Sequence, residues 1–181
     1  MITSTSSSQV KHVVNLQKKA KLRKEEKQFV VEGVKMVSEA PADRLVKVYV
    51  SETFKADNEE FLERMNYDSI GKDVLEIVTD NVFMRMADTQ TPQGIMAVVR
   101  MTDTDLEGIL SDKHNPLLLI IENLQDPGNL GTIVRMAEGA GVTGIIMSSN
   151  TVDIYNPKTI RSTMGSLYPV SYTHLTLPTN R

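Results

Sequence analysis

The sequence predicts an α/β chain built as two successive units. Through the first hundred residues, short apolar runs alternate with amphipathic stretches, the pattern of a small mixed α/β domain. After a polar stretch, five apolar residues in a row lead into a helical repeat and then a second apolar run, which is a β-α-β signature. The chain has 181 residues and 40% hydrophobic content, enough to bury one large or two small cores.

The elements come in order along the chain. "QVKHVVNLQKKAKLRKEEK", residues 9–27, has good helix formers, with apolar Val10, Val13, Val14 and Leu16 ahead of a dense basic run. "QFVVEG" reads as a strand, "VKMVSEA" as a short helix, "LVKVYVS" as a strand and "NEEFLERM" as a helix. "VLEIVT" is a further strand, "DNVFMRMA" a helix, and "GIMAVVRM" a strand entered through the turn "TPQG". This first domain spans residues 1–100. The polar stretch "TDTDLEGILSDKHN" makes residues 101–115 a linker with one helical turn. From Pro116 the pentad "LLLII" suits a strand covered on both faces of a parallel sheet. A helix from Leu130 to Ala140 comes next, with Leu130, Ile133, Val134 and Ala137 at the i, i+3, i+4, i+7 spacing and Gly139 and Gly141 at its end. "VTGIIM" is the next strand, reached by a crossover expected to be right-handed. "NPKTIRSTMG" is a helix with Asn156 as cap and Pro157 at its first position.

The stretch "DPGNLGTIVR" carries the chemistry. Pro127 fixes a backbone dihedral, Gly128 permits a turn, and Asn129 is expected to cap the helix. Arg135 lies about 100° around the helix from Val134, off the apolar stripe. Its side chain leans toward the helix start, over Gly131, which has no side chain to block it. An amide and a guanidinium would then converge where free N–H groups and the helix dipole attract an anion such as phosphate. Spacing alone also fits an ordinary exposed arginine beside a routine cap.

Charge is read by segment, because the net charge of −3 excludes an argument from overall basicity. Lys18, Lys19, Lys21, Arg23, Lys24 and Lys27 form the one basic run considered for RNA; Glu25 and Glu26 dilute it, and a solvated helix face fits it as well. Cysteine is absent, which excludes disulfides and thiol catalysis and fits a reducing, cytoplasmic setting. The three histidines are scattered, so no metal site is expected. There is no signal-peptide pattern and no apolar stretch of the roughly 18 residues that span a bilayer, so no membrane partner is expected. The ten methionines read as core filling, and 5% aromatic content supports no platform for stacking bases.

"NLQDPGNLGTIVRMAEGAGVTGIIM" closely resembles the first motif of the SpoU (TrmH-like) family of RNA ribose 2′-O-methyltransferases in the SPOUT superfamily, with Asp-Pro, the Asn and the Arg six residues later in place. "NPKTIRSTMGSLYPV" is similar to the next segment of that family, and "KKAKLRKEEKQFVVEG" and "TPQGIMAVV" resemble its N-terminal RNA-binding domain, so the likeness reaches Val170. It implies a small α/β RNA-binding domain succeeded by the first part of a parallel-sheet α/β-knot methyltransferase domain, residues 116–170. It also implies S-adenosyl-L-methionine as the cofactor of the full-length parent, rRNA or tRNA as partner, and a homodimeric parent. Arg135 and Asn129 would be its catalytic residues. A guanidinium almost never gives up its proton at neutral pH, so the expected role of Arg135 is to clamp a phosphate and stabilise the developing oxyanion, while Asn129 orients the loop or the hydroxyl. Arg161 and Ser162 line the cleft by their position in the resemblance, although a polar helix face explains them equally.

The ending "VSYTHLTLPTNR" fits neither the family nor a domain terminus and is expected to bring no continuation of the parallel sheet. A transposase adapter used for sequencing libraries would encode residues 170–179. The expectation is therefore an open reading frame that runs off natural sequence near residue 170, with 171–181 a foreign tail. The later family motifs that carry the cofactor pocket and the knot are then absent, so no cofactor-binding residue is expected in this chain. It should neither bind S-adenosylmethionine nor methylate RNA, and its sheet edge would be unpaired. Two rival readings are a non-catalytic RNA-binding module using only residues 1–100, and an unrelated nucleotide-binding enzyme. The second lacks any GxxxxGK or GxGxxG motif.

Overall fold

The computed structural model describes residues 1–67, 73–102, 104–111 and 116–175. They form two compact units, Met1–Met101 and Thr102–Arg181.

In the first unit a sheet of four strands has the order β1-β4-β2-β3: β1 Gln28–Glu32, β2 Leu45–Ser51, β3 Leu75–Val78 and β4 Ile95–Arg100. β4 runs antiparallel to β1 and β2, while β2 and β3 are parallel. Beyond β3, Ile2 adds one bridge, its N–H donating to the Ile77 carbonyl at 2.8 Å, and the Met1 amine pairs with Glu76 at 3.0 Å. The basic helix expected over 9–27 is two helices, α1 Ser8–Lys18 and α2 Ala20–Glu26, because Lys19 is extended (φ −115°, ψ 102°). Val10, Val13 and Leu16 of α1 pack with Val30, Tyr49, Met96 and Val98 of the sheet. Val82, Phe83 and Met86 of α6 Asp80–Met86 close the same core. α3 Val34–Ser38 and α5 Glu59–Met65 fall where expected, and α4 Glu52–Asp57 is a helix that the sequence pattern does not signal. Four of the ten methionines, Met1, Met84, Met136 and Met164, are exposed, so core filling describes only part of them.

The second unit has a three-stranded, all-parallel sheet in the order β5-β6-β7, formed by Leu118–Ile121, Gly144–Ser148 and Ser171–Leu175. β6 is central and buried. β5 is an edge strand and is not covered on both faces: Ile120 is 74% exposed. An apolar pentad cannot by itself distinguish a central strand from an edge one. The expectation that the tail would not continue the sheet is overturned for 171–175, which pair with β6 from Gly144↔Ser171 to Ser148↔Leu175. Residues 176–181 lie outside the described residues. Within the expected linker, α7 Leu106–Leu110 is docked, with Ile109 buried against the side-chain-free face of Gly144. α8 Pro127–Gly139 and α9 Pro157–Thr163 complete the unit and pack on each other. Among the described residues no helix is long and apolar enough to cross a membrane.

Candidate functional site

The first turn of α8 is built by Asp126. Its backbone is extended (φ −84°, ψ 120°), its carboxylate accepts the Asn129 N–H at 2.7 Å, and Pro127 takes the first helical position, where a missing N–H costs nothing. The cap is therefore Asp126 and not the Asn129 that the sequence pattern predicts. Asn129 stands inside the helix, and its exposed side-chain amide bonds to no described residue. The signal was present in the sequence, since a proline that opens a helix places the cap one residue before it.

Gly131 also has a different reason from the one expected. A Cβ there would lie 2.8 Å from Ser162 Oγ and 2.9 Å from the Ser162 carbonyl carbon, so the glycine is where α9 rests on α8. Ser162 Oγ donates to the Lys158 carbonyl at 2.5 Å. The room over Gly131 is therefore filled, and Arg135 does not lean across it. Arg135 is exposed and forms no hydrogen bond or ion pair with a described residue. Six residues separate it from Asn129, about 9 Å along the axis and about 120° around it, so Asn129 stands in the first turn of α8 and Arg135 in its second half, with no hydrogen bond between them. Arg161, half-buried, is engaged with other groups of the chain. α9 begins as expected, with Asn156 Oδ1 accepting the Lys158 N–H at 2.9 Å and Pro157 next.

The start of α8 lies at the carboxyl ends of the parallel strands, the edge at which α/β sheets bind ligands. The loops that leave β5 and β6 are laced together there. Asn123, in the left-handed region at φ 53°, donates its N–H to Ser148 Oγ at 2.9 Å. The Val152 N–H reaches the Leu124 carbonyl at 2.8 Å, and Gln125 Nε2 donates to the Asn150 carbonyl.

In the basic run, Lys18, Lys19, Lys21 and Lys24 are exposed, but Arg23 is only 3% exposed. Its Nη1 donates to the carbonyls of Leu16 at 2.7 Å and Gln17 at 2.9 Å, satisfying the open end of α1 at the break. Arg23 thus holds the end of α1 and, buried there, is not exposed to contact phosphate in the way the basic run predicts. Lys21 is paired loosely with Glu25, 3.8 Å away, an exposed contact that leaves its ammonium available. Lys27 ends α2 in the left-handed region at φ 51°. Among the described residues no group of three or more His, Cys, Asp or Glu is placed to hold a metal ion.

A small mixed-sheet unit is succeeded by a parallel α/β unit whose capped helix bears an amide and a guanidinium without partners among the described residues, a two-unit α/β architecture. The chain belongs to the SpoU family of RNA methylases: residues 7–97 match the MRM3-like substrate binding domain and residues 116–179 the SpoU rRNA Methylase family. It is 33% identical over 163 residues to human mitochondrial rRNA methyltransferase 3, covering 85% of this chain and 36% of that protein. It is 34% identical over 102 residues to the Bacillus subtilis 23S rRNA (guanosine(2553)-2′-O)-methyltransferase, covering 56% of this chain and 39% of that one. The AdoMet-bound rRNA methyltransferase of Sinorhizobium meliloti shares the fold, with a TM-score of 0.78 and 24% identity over 96% of this chain and 63% of its own. The chain thus spans little more than a third of the length of its mitochondrial relative.

Proposed function

We propose that this chain carries the RNA-facing part of an enzyme that transfers the methyl group of S-adenosylmethionine to a ribose 2′-hydroxyl of ribosomal RNA. One observation carries the reading: the helix of the SpoU motif, α8, bears Asn129 in its first turn at the carboxyl edge of the sheet and Arg135 further along, both exposed and without partners among the described residues. The guanidinium grips a phosphate beside the target ribose with two parallel N–H donors and stabilises the oxygen as it loses its proton. The amide of Asn129 orients the hydroxyl. The exposed lysines at 18, 19, 21 and 24 hold the RNA backbone without selecting its sequence.

The cofactor supplies the electrophilic methyl, and the described residues do not by themselves fit it. The Leu124 and Asn150 carbonyls and the Val152 N–H, groups of the kind that would line an adenosine cradle, bond across the two loops. The parent is proposed as a homodimer, and 171–181 as adapter-encoded although the family match runs to residue 179. Calorimetry with S-adenosylmethionine tests the misfit to the cofactor, since measurable binding to this polypeptide would refute it. Amplifying the locus from source DNA tests the adapter origin, since genomic codons for "SYTHLTLPT" would exclude it. Methyl transfer to rRNA by the chain extended with its genomic continuation tests the function itself, and an extended protein inactive on RNA ends this reading.

A second reading, a non-catalytic RNA-binding module, is favoured by one observation: the first unit has its own closed core. An immediate genomic stop codon after residue 170 would select it.

A further inference from the structure

The first unit holds a cleft of about 310 Å³ that takes no part in the proposed methyl transfer. It opens where the end of β2, the start of β4, and the helices α4 and α6 meet. Phe54 and Phe83 back its floor, buried at 7% and 1% exposure, and Met84, 54% exposed, stands at its lip. Gly94 (φ 87°) lies flat on that floor: a Cβ there would come within 2.7 Å of Phe54 Cβ and 3.0 Å of Ser51 Oγ. The walls are polar and fixed in place. Thr53 donates to Asp80 from its hydroxyl at 2.7 Å and its N–H at 3.2 Å. Gln93 Oε1 accepts the Val34 N–H at 2.8 Å, which orients the amide and leaves Nε2 as a donor.

Asp57 has no such partner. It ends α4, where the helix dipole disfavours a carboxylate, is exposed, and bonds to no described residue. Two carboxylates on the rim repel phosphate, so the nucleic-acid backbone does not enter. A flat ring with adjacent N–H donors suits an apolar floor and a free carboxylate, which accepts two parallel bonds. Among the four RNA bases, guanine alone carries a ring N–H beside an amino group. The volume, at the small end of ligand pockets, suits one base. Unstacked bases of single-stranded segments are what proteins read in RNA.

We infer that this cleft receives one unstacked guanine of the bound RNA, with Asp57 accepting from its ring N–H and amino group. This rests on the proposed RNA-binding role of the chain. The test measures, at low salt, binding of the full chain to three fluorescein-labelled heptamers: all uridine, uridine with one central guanosine, and uridine with one central inosine, which lacks the amino group. Binding about tenfold tighter for guanosine than for all-uridine is expected, with most of the gain lost for inosine. Asp57→Asn should remove the preference and leave the uridine affinity unchanged. Guanosine monophosphate, followed through the amide shifts of Gln93 and Gly94, should displace the same resonances. Equal binding of all three heptamers, or a preference that survives Asp57→Asn, overturns the inference while RNA binding stands. If no heptamer binds, the RNA-binding reading falls and takes this one with it. Binding of the free nucleotide but not of the guanosine heptamer overturns the claim that the guanine comes from RNA.

Discussion

Ser162 of α9 occupies the space over Gly131 of α8, its Oγ standing 2.8 Å from where a Cβ on the glycine would lie. The glycine leaves room for a neighbouring helix, not for the arginine one turn further on. Gly131→Ala should therefore destabilise the second unit by about 1–3 kcal/mol despite the better helix propensity of alanine. Ser162→Gly in the same chain should recover part of the loss. Denaturant unfolding of the single and double variants measures both effects, and an alanine variant as stable as the parent would show that the contact yields without strain.

Arg135 is exposed and free of described partners, so removing it should not affect folding. Arg135→Ala should shift stability by no more than about 0.5 kcal/mol, as surface substitutions usually do. Arg135→Lys in the genomically extended enzyme should lose most of its turnover, because the charge remains but the two-pronged donor does not. Near-normal turnover of the lysine variant would remove the clamp from the mechanism.

Arg23 and its lysine neighbours should separate cleanly. Arg23→Ala removes two bonds to the end of α1 and leaves those carbonyls open, at a cost of roughly 1–3 kcal/mol seen in thermal or denaturant unfolding. Lys19→Ala and Lys24→Ala should leave stability nearly unchanged, weaken RNA binding, and lower its dependence on salt. A salt dependence that the lysine variants leave unaltered would take this patch out of the RNA interface.

Asp80 gives a pH signature to the first unit. The Thr53 hydroxyl, with the Thr53 N–H and the Ser51 hydroxyl, holds its carboxyl below the ordinary value of 3.8. A lowered folded-state value means that the stabilisation is complete above that ordinary value and is lost as the pH falls through the folded one. Unfolding midpoints of the parent and of Asp80→Asn should therefore differ at neutral pH and converge in acid. A gap that persists unchanged well below the ordinary carboxyl range would assign the effect of the substitution to something other than charge.

At alkaline pH the same unit has two late phenols. Burial, with the charge of Glu76 adding to it, raises Tyr49 to about 12, and burial raises Tyr67 to about 12. Both raised values mean stability that is full below 10 and lost as the pH climbs toward 12. In an ultraviolet titration, Tyr49→Phe should delete one late-ionising phenol, and an unchanged late phase would overturn the assignment.

The sequence determined most of the strands and helices and the strand-loop-helix of the SpoU motif that bears Asn129 and Arg135, because these depend on local periodicity, turn chemistry and spacing along one chain; it did not signal α4 or the break at Lys19. It also held the correct cap, Asp126, in the proline next to it. Tertiary structure alone decided that Arg23 is buried while its lysine neighbours are not, since that depends on where Lys19 breaks the helix and leaves the Leu16 and Gln17 carbonyls open. It decided the place of "LLLII" at a sheet edge, because strand order is set by long-range pairing that an apolar run does not record. It turned residues 171–175 into a third parallel strand, because an edge left open by β6 accepts any extended segment whose backbone can pair with it. It also brought Phe54, Asp57, Phe83 and Gln93 to one cleft from separate stretches of sequence, a meeting that no periodicity within any one of them encodes.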